Sequence, residues 1–592
     1  MTAVRHSARS GVALLATLAA GISFAAAPQA GSARAAQALQ QLLERERQYE
    51  LSLDPIRSSA AGERAWNDRW PDFSLAAFQR REEHARTVLA QLDALDANAL
   101  SAADRLDYDL FREQREVELE ELELRWYLVP IRHNVGIHAL GNLPQRLRFK
   151  TSQDYADWLQ RLRSYSAYVD QTIALMREGM RTGIVFPRDA MQRVPGIIER
   201  QLLDDPTAHT FYEPFLRIPD TIRDAAALRA QGQQAIAGGV LPALRRLRAF
   251  FIDEYIPACP VELGVWRMPQ GERIYAHFIR RNTTLRTDPA VIHQRGLDEV
   301  KRIRGRMEAA IARSGFKGSF AEFTEHLRTD PQFYYTSSDE LLTAYRALAK
   351  RVDPLLVKVF RTLPRMPYGI EPAAGAAADD SVAGAYAQGT ADGERAGGVV
   401  VNVSNPRIRP KYEMLNLIMH EGVPGHHIQR ALAMELGDVP EFRRSLRSPV
   451  FSEGWALYAE SLGYDMGLFD DPYAEFGALS FEMWRAIRLV VDTGIHWGRW
   501  DRERAVAYFR ENSARPVADI LQEVDRYAEI PAQALAYKTG EMKIKELRAR
   551  ATAALGPAFD LREFHKVVLE QGTIPLGPLE RHVDAWIAKH SY

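Results

Sequence analysis

The sequence predicts a mainly α fold, a large helical body with one small β-sheet inserted beyond its midpoint. Two observations carry this expectation. Apolar residues recur at helical spacing over most of the 592 residues, and one stretch, Gly398-Val399-Val400-Val401-Asn402-Val403, is a β-branched run of strand length. With 46% hydrophobic and 26% charged residues, the chain has an ordinary globular balance and can bury a large core.

At the N-terminus, Arg5, His6 and Arg9 precede an Ala- and Leu-rich apolar run from Gly11 to Ala27, and Ala33-Arg34-Ala35 supplies an A-x-A cleavage pattern. That succession reads as a Sec-type signal peptide over residues 1–35. The run is short against the ~20 residues of a membrane span, so no span is expected once the leader is removed. The expected location is the periplasm or the exterior. The single cysteine, Cys259, excludes an intramolecular disulfide and lies too far from the leader for lipid attachment. Its setting, Ala258-Cys259-Pro260, carries no nucleophile pattern.

Helices dominate the chain beyond the leader. Leu106, Leu110, Val117 and Leu124 form one apolar stripe among charges, and similar patterns recur at Tyr155–Gly179, Ile222–Tyr255, Asp288–Ser314 and Ser338–Thr362. Ala373–Gly398 lacks helical periodicity and leads into the β-branched run. Pro410 is placed to open the next helix, and Asp501 to cap a later one. A strand directly before that helix could act as an edge that pairs with an extended peptide. These features divide the mature chain into an N-terminal helical half, 36–367, and a second half, 368–592, or leave one continuous domain, 36–592. Acidic and basic residues nearly cancel, for a formal net charge of -1, which gives no basic excess for nucleic acid. No feature sets an oligomeric state.

The chemistry concentrates in His420-Glu421-Gly422-Val423-Pro424-Gly425-His426-His427. Met414, Leu415, Leu417 and Ile418 mark the preceding helix as buried. A buried His followed by Glu suits a zinc hydrolase, the imidazole ligating the metal and the carboxylate deprotonating water. The usual second His, four residues on, is replaced by Pro424, which has no N–H for the carbonyl of His420 and must bend or widen the helix. On an undistorted helix His426 points about 120° away from His420, and His427 sits ~10.5 Å along the axis. A two-residue bulge would bring His426 into place, so it is preferred to His427 as second ligand. The third ligand candidate is Glu453, in Phe451-Ser452-Glu453-Gly454-Trp455, on a helix that Ser452 could cap. Glu460 is the fallback ligand, or an acceptor behind a histidine.

At these residues the chain resembles domain-of-unknown-function family 885, exported bacterial proteins placed with the gluzincin metallopeptidases. The resemblance rests on His420–Gln429, Ser452–Ala456, Arg488-Leu489-Val490-Val491-Asp492-Thr493-Gly494-Ile495-His496 and Gln533-Ala534-Leu535-Ala536-Tyr537-Lys538. It implies a helical body around a deep cleft with the small sheet beside the metal-binding helix. It further implies one zinc ion held by two His and one Glu, with Glu421 as general base. Many members are lipoproteins, and this chain lacks the cysteine that anchoring requires.

A donor for the developing oxyanion and a partner for the substrate's charged end are also expected. Arg488, Asp492 and His496 share one helix face, so Asp492 could orient either neighbour. Tyr527, Tyr537 and Lys538 are further candidates, the phenols as donors and the lysine for a carboxylate. Together these readings lead to a zinc hydrolase of short peptides, of carboxypeptidase, dipeptidase or oligopeptidase type. The alternatives are an amidase of cell-wall peptides or acylated amino acids, and a non-catalytic protein that retains metal. Absence of a G-x-S-x-G segment disfavours a serine hydrolase.

Overall fold

A computed structural model describes residues 26–373, 383–390, 393–437 and 439–591. The first 25 residues of the expected leader lie outside the described residues. Its remainder begins α1 (Ala26–Leu53), which runs through the Ala33-Arg34-Ala35 motif.

The helices that frame the site start and stop where local chemistry dictates. The Ser101 hydroxyl accepts the Asp104 N–H ahead of α2 (Ala102–Glu123), and Thr151 with Asp154 forms a reciprocal capping box on α3 (Ser152–Thr182). Then come α4 (Gly271–Thr283), α5 (Pro289–Ser314) and α6 (Ser338–Val352); Asp288 caps α5 and its proline takes the first helical position. The stretch expected as one helix over Ile222–Tyr255 stays helical but carries two π-turns, at Ile236–Val240 and Phe251–Tyr255.

The sheet comprises β1 (Tyr368–Pro372), β2 (Gly384–Ala387) and β3 (Gly397–Val401) in the order β1-β3-β2. β3 pairs in parallel with β1 and antiparallel with β2. The β-branched run is therefore the central strand rather than an edge, as its near-continuous burial requires. The edge beside the site is β2, formed by the Ala- and Gly-rich stretch. Val399 and Val401 pack with Met414, Leu417 and Ile418 of α7 (Lys411–Glu421) and with Leu341 and Tyr345 of α6.

Beyond α7 follow α8 (His426–Met434), α9 (Pro449–Met466), α10 (Pro472–His496), α11 (Arg502–Asn512), α12 (Val517–Glu529) and α13 (Ala536–Leu555). Asp501 caps α11 as expected, accepting the Arg504 N–H at 2.8 Å. Two cores join the halves drawn at 367/368. One unites Leu110 and Val352 with Leu415, Trp455 and Ile544; the other unites Val300 and Met307 with Leu479, Val490 and Tyr527. α9 crosses α13 at paired glycines, where a Cβ on Gly454 would meet the Gly540 Cα at 2.5 Å. No helix among the described residues is long and apolar enough to cross a membrane.

Candidate metal centre

α7 does not carry its second histidine on a bulge. It stops at Glu421, the Val423-Pro424 bond is cis, and α8 restarts at His426. The chain folds back so tightly that a Cβ on Gly425 would lie 2.0 Å from the His420 carbonyl oxygen, so only glycine fits. The His427 N–H bonds the Gly422 carbonyl at 3.0 Å, and Trp455 of α9 donates to the Pro424 carbonyl at 3.1 Å. This break sets the His420 and His426 rings 4.9 Å apart and nearly perpendicular, at 85°.

Glu453 completes a group of three. Its Oε2 lies 3.6 Å from His420 Nε2 and 3.4 Å from His426 Nε2. Donors bound at ~2.0–2.1 Å in a tetrahedron stand roughly 3.3 Å apart, so this spacing fits a zinc-sized cation between them. Glu421 offers an oxygen within 4.8 Å of the same imidazoles. By that grouping Glu421 is itself a possible ligand, alongside Glu453. Oε2 of Glu421 accepts the Tyr386 N–H of β2 at 2.8 Å. Glu453 sits in the second turn of α9; the helix starts at Pro449, and Ser452, expected as its cap, turns its hydroxyl to the Ser448 carbonyl at 3.2 Å.

His427 is engaged elsewhere. Its Nδ1 meets the Tyr386 hydroxyl at 3.1 Å and its Nε2 the Met366 carbonyl at 3.1 Å, and burial pushes it down to about 4, so it is neutral. Glu460 backs the site: its Oε1 lies 2.6 Å from His420 Nδ1, and the Asn416 amide donates to its other oxygen. Burial pulls the His420 imidazole down, but its bonds to Glu453 and Glu460 prevail and lift it to about 9. Burial likewise opposes ionisation of Glu453, yet His426 and His420 hold it well below the usual carboxylate range. The three side chains thus favour positive charge between them, a requirement a divalent cation meets.

The expected auxiliary residues separate into two groups. Arg488, Asp492 and His496 do share a buried face of α10, but Asp492 orients neither neighbour. It accepts from the Tyr275 hydroxyl at 2.7 Å and the Ala532 N–H at 3.1 Å, and burial lifts it to about 7. His496, expected as catalytic, accepts the Val265 N–H at 3.2 Å and reaches the Tyr527 carbonyl at 2.9 Å. Burial pushes it down to about 4, so it braces two segments as a neutral ring. Lys538, expected at a substrate carboxylate, is fully buried and bonds Glu299 at 2.8 Å, Glu482 at 2.8 Å and Glu541 at 2.9 Å, which leaves nothing for a substrate. Tyr527, expected as a donor, is buried with its hydroxyl between Glu523 at 2.7 Å and Arg488 at 3.1 Å.

Arg488 and Tyr537 do belong together, the guanidinium 4.4 Å from the ring centre. They reach the metal group through Arg485, which stacks on Tyr537 at 5.8 Å and approaches Glu460 at 3.8 Å. Arg485 and Tyr386 have no signal in the sequence. The first lies inside an apolar helix, and the second in a four-residue strand with no β-branched neighbours. A cavity of about 750 Å³ lies elsewhere, lined by Glu50, Arg115, Arg280 and Arg447 among others.

No curated protein matches the chain. Among solved structures, a putative lipoprotein from Colwellia psychrerythraea is similar at 26% identity and a TM-score of 0.86, over 94% of this chain and 99% of that one. A putative lipoprotein of unknown function from Shewanella oneidensis shares the fold, at 15% identity and a TM-score of 0.72 over 92% and 99% of the two chains. The model of the family described as "Bacterial protein of unknown function (DUF885)" matches residues 55–583, and the chain belongs to that family.

Proposed function

We propose that the protein is an exported zinc-dependent hydrolase that cleaves peptide bonds in short peptides. The observation that carries this reading is the placement of Glu453 Oε2 at 3.6 and 3.4 Å from the two imidazoles, with an oxygen of Glu421 within 4.8 Å of the same rings. A purely structural zinc site closes with four protein ligands, whereas three ligands and an adjacent free carboxylate form a hydrolytic set. Zinc bound by His420, His426 and Glu453 supplies a Lewis acid and lowers the pKa of water. Glu421 takes the proton from the attacking water and returns it to the leaving amine. The Tyr386 N–H holds one oxygen of Glu421 and so fixes the direction of that transfer. Glu460 fixes the His420 ring.

Pairing at β2 supports a peptide substrate. Asn402 N–H bonds the Ala383 carbonyl at 2.9 Å, so antiparallel alternation turns residues 383, 385 and 387 toward β3. Gly384 and Tyr386 then turn their backbone groups away from β3, and with the Tyr386 N–H held by Glu421 an extended backbone can add only to the rest of that edge. The basic, apolar and small-residue order of the N-terminus supports export, in keeping with the description of the similar Colwellia protein as a lipoprotein.

The test is zinc content together with turnover of a mixed peptide library by the wild type and Glu421→Gln. The expected result is one zinc per chain in both and cleavage by the wild type alone. Equal turnover by both proteins, or a zinc-loaded wild type that cleaves nothing, would overturn the reading.

A further inference from the structure

The open edge of β2 leads into a small pocket that the hydrolytic step does not use. Its volume is about 60 Å³, and its lining includes Ala383, Glu413, Leu417, Phe481, Arg409 and Arg515. Leu417 marks the join with the strand, since a Cβ on Gly384 would meet its Cδ2 at 3.1 Å. The pocket therefore begins at Ala383, just before β2 and three residues from Tyr386 and its contact with Glu421. At ~3.3 Å per residue that is roughly 10 Å of extended chain.

A peptide added antiparallel to β2 would run from Ala387 toward Gly384 and bring its carboxyl-terminal part to the pocket, whereas a parallel one would bring its amino-terminal part; the charge of the lining selects the first. What waits there is cationic and under-used. Arg409 makes no ion pair among the described residues, and its Nε is buried without a hydrogen-bond partner. Among the described residues Arg515 forms an ion pair with Asp519 alone, at 3.5 Å, and lies 3.7 Å from the Trp484 ring centre. Arg485, 4% exposed and with its Nε also unpartnered, stacks on Phe481 of the lining at 4.8 Å. Glu413 and Asp519 also line the pocket; Asp519 pairs with Arg515, and burial raises Glu413 against the opposing pull of Arg515, Arg485 and Arg409. Guanidinium groups with free N–H donors at the end of an extended-peptide groove match a carboxylate, which accepts from two donors at once.

We propose that this pocket receives the free α-carboxylate of the peptide, so that the enzyme removes two or three residues from the carboxyl end. This rests on the peptidase reading. It assigns Arg409 and Arg515 as specificity residues.

The experiment uses the zinc-loaded full chain and two N-acetylated hexapeptides that differ only in a free carboxylate or a carboxamide at the C-terminus. Cleavage of the free acid is expected to exceed that of the amide by about 10-fold or more in kcat/KM, with di- or tripeptides released from the carboxyl end. Arg409→Gln and Arg515→Gln, each checked for an unchanged circular dichroism spectrum, should erase most of that preference. Calorimetry with Glu421→Gln supplies a readout independent of turnover and should show tighter binding of the acid. Equal cleavage of acid and amide overturns the pocket assignment and leaves the peptidase reading standing. Cleavage confined to the amino end of non-acetylated peptides overturns it as well, because the chain then runs the other way. If neither hexapeptide is cleaved, the peptidase reading falls, and equal or undetectable binding in the calorimeter removes the carboxylate pocket with it.

Discussion

His420 Nδ1 lies 2.6 Å from Glu460 Oε1, two turns along α9 from Glu453, so one helix supplies both the carboxylate that faces the metal position and the one that steadies the opposing imidazole. A bond behind a ligand fixes its tautomer and raises its basicity. Loss of such a partner costs roughly 10- to 100-fold in metal affinity. Glu460→Gln is expected to weaken zinc by that factor, read by competition with a chromophoric chelator, while the far-ultraviolet spectrum stays unchanged. Unaltered zinc affinity would mean that the contact plays no part in binding.

The two adjacent histidines give a sharper contrast. His426 faces Glu453, whereas His427 ties β2 to the Met366 carbonyl through Tyr386. His426→Ala should abolish stoichiometric zinc. His427→Ala should retain it and lose about 1–3 kcal/mol of stability, the usual cost of buried partners left unmade. Metal analysis and urea melts on both proteins check this, and zinc loss confined to His427→Ala would reverse the assignment.

Asp492 makes stability depend on pH in a direction opposite to that of the buried histidines. Burial raises its folded pKa to about 7 from an ordinary 3.8, so its contribution is complete below about pH 4 and is lost as pH rises through 7. His427, His496 and His565, each lowered to about 4 chiefly by burial, instead add stability as pH rises from 4 to 6.5. Asp492→Asn keeps an acceptor for the Tyr275 hydroxyl and the Ala532 N–H without the charge. Relative to wild type, the variant should therefore gain stability between pH 5 and pH 8 in urea denaturation. A difference independent of pH would show that Asp492 does not titrate in that window.

Much of this is legible in the residues, and the reasons for the rest are physical. The helical periods, the cap at Asp501 and the burial of His420 follow from local pattern. The bulge expected to bring His426 beside His420 does not form, although the two rings do lie 4.9 Å apart. Pro424 and Gly425 do break the helix, but by ending it and starting another rather than by bulging it. The strand that meets Glu421 is invisible in the sequence because Gly384-Ala385-Tyr386-Ala387 has almost no β propensity; packing on α7 and pairing with β3 create it. Lys538 and His496 look functional because charge within an apolar run is rare. The partners that make them structural, Glu299 and Glu482 for one and Val265 for the other, come from helices and loops distant in sequence.

The crossing of α9 and α13 offers a test of how packing positions the chemistry. A Cβ on Gly540 would lie 1.9 Å from the Val450 carbonyl oxygen and 2.7 Å from the Gly454 Cα, so Gly540→Ala must push the helices apart. Both groups it meets are backbone, which cannot rotate away, and overpacking of this kind costs about 1–3 kcal/mol or more. The displacement falls on the turns of α9 that carry Glu453, whose oxygen is placed to within a few tenths of an ångström of equal distance from the two imidazoles. Gly540→Ala should therefore lower both the melting temperature and the zinc affinity, although Gly540 touches no ligand. A control substitution on the exposed face of α13, Arg550→Ala, removes ion pairs to Glu580 and Asp584 and should change stability by less than about 1 kcal/mol and zinc affinity not at all. If Gly540→Ala lowers the melting temperature but binds zinc as tightly as wild type, α9 shifts as a rigid unit and the helix crossing does not set the geometry of the site.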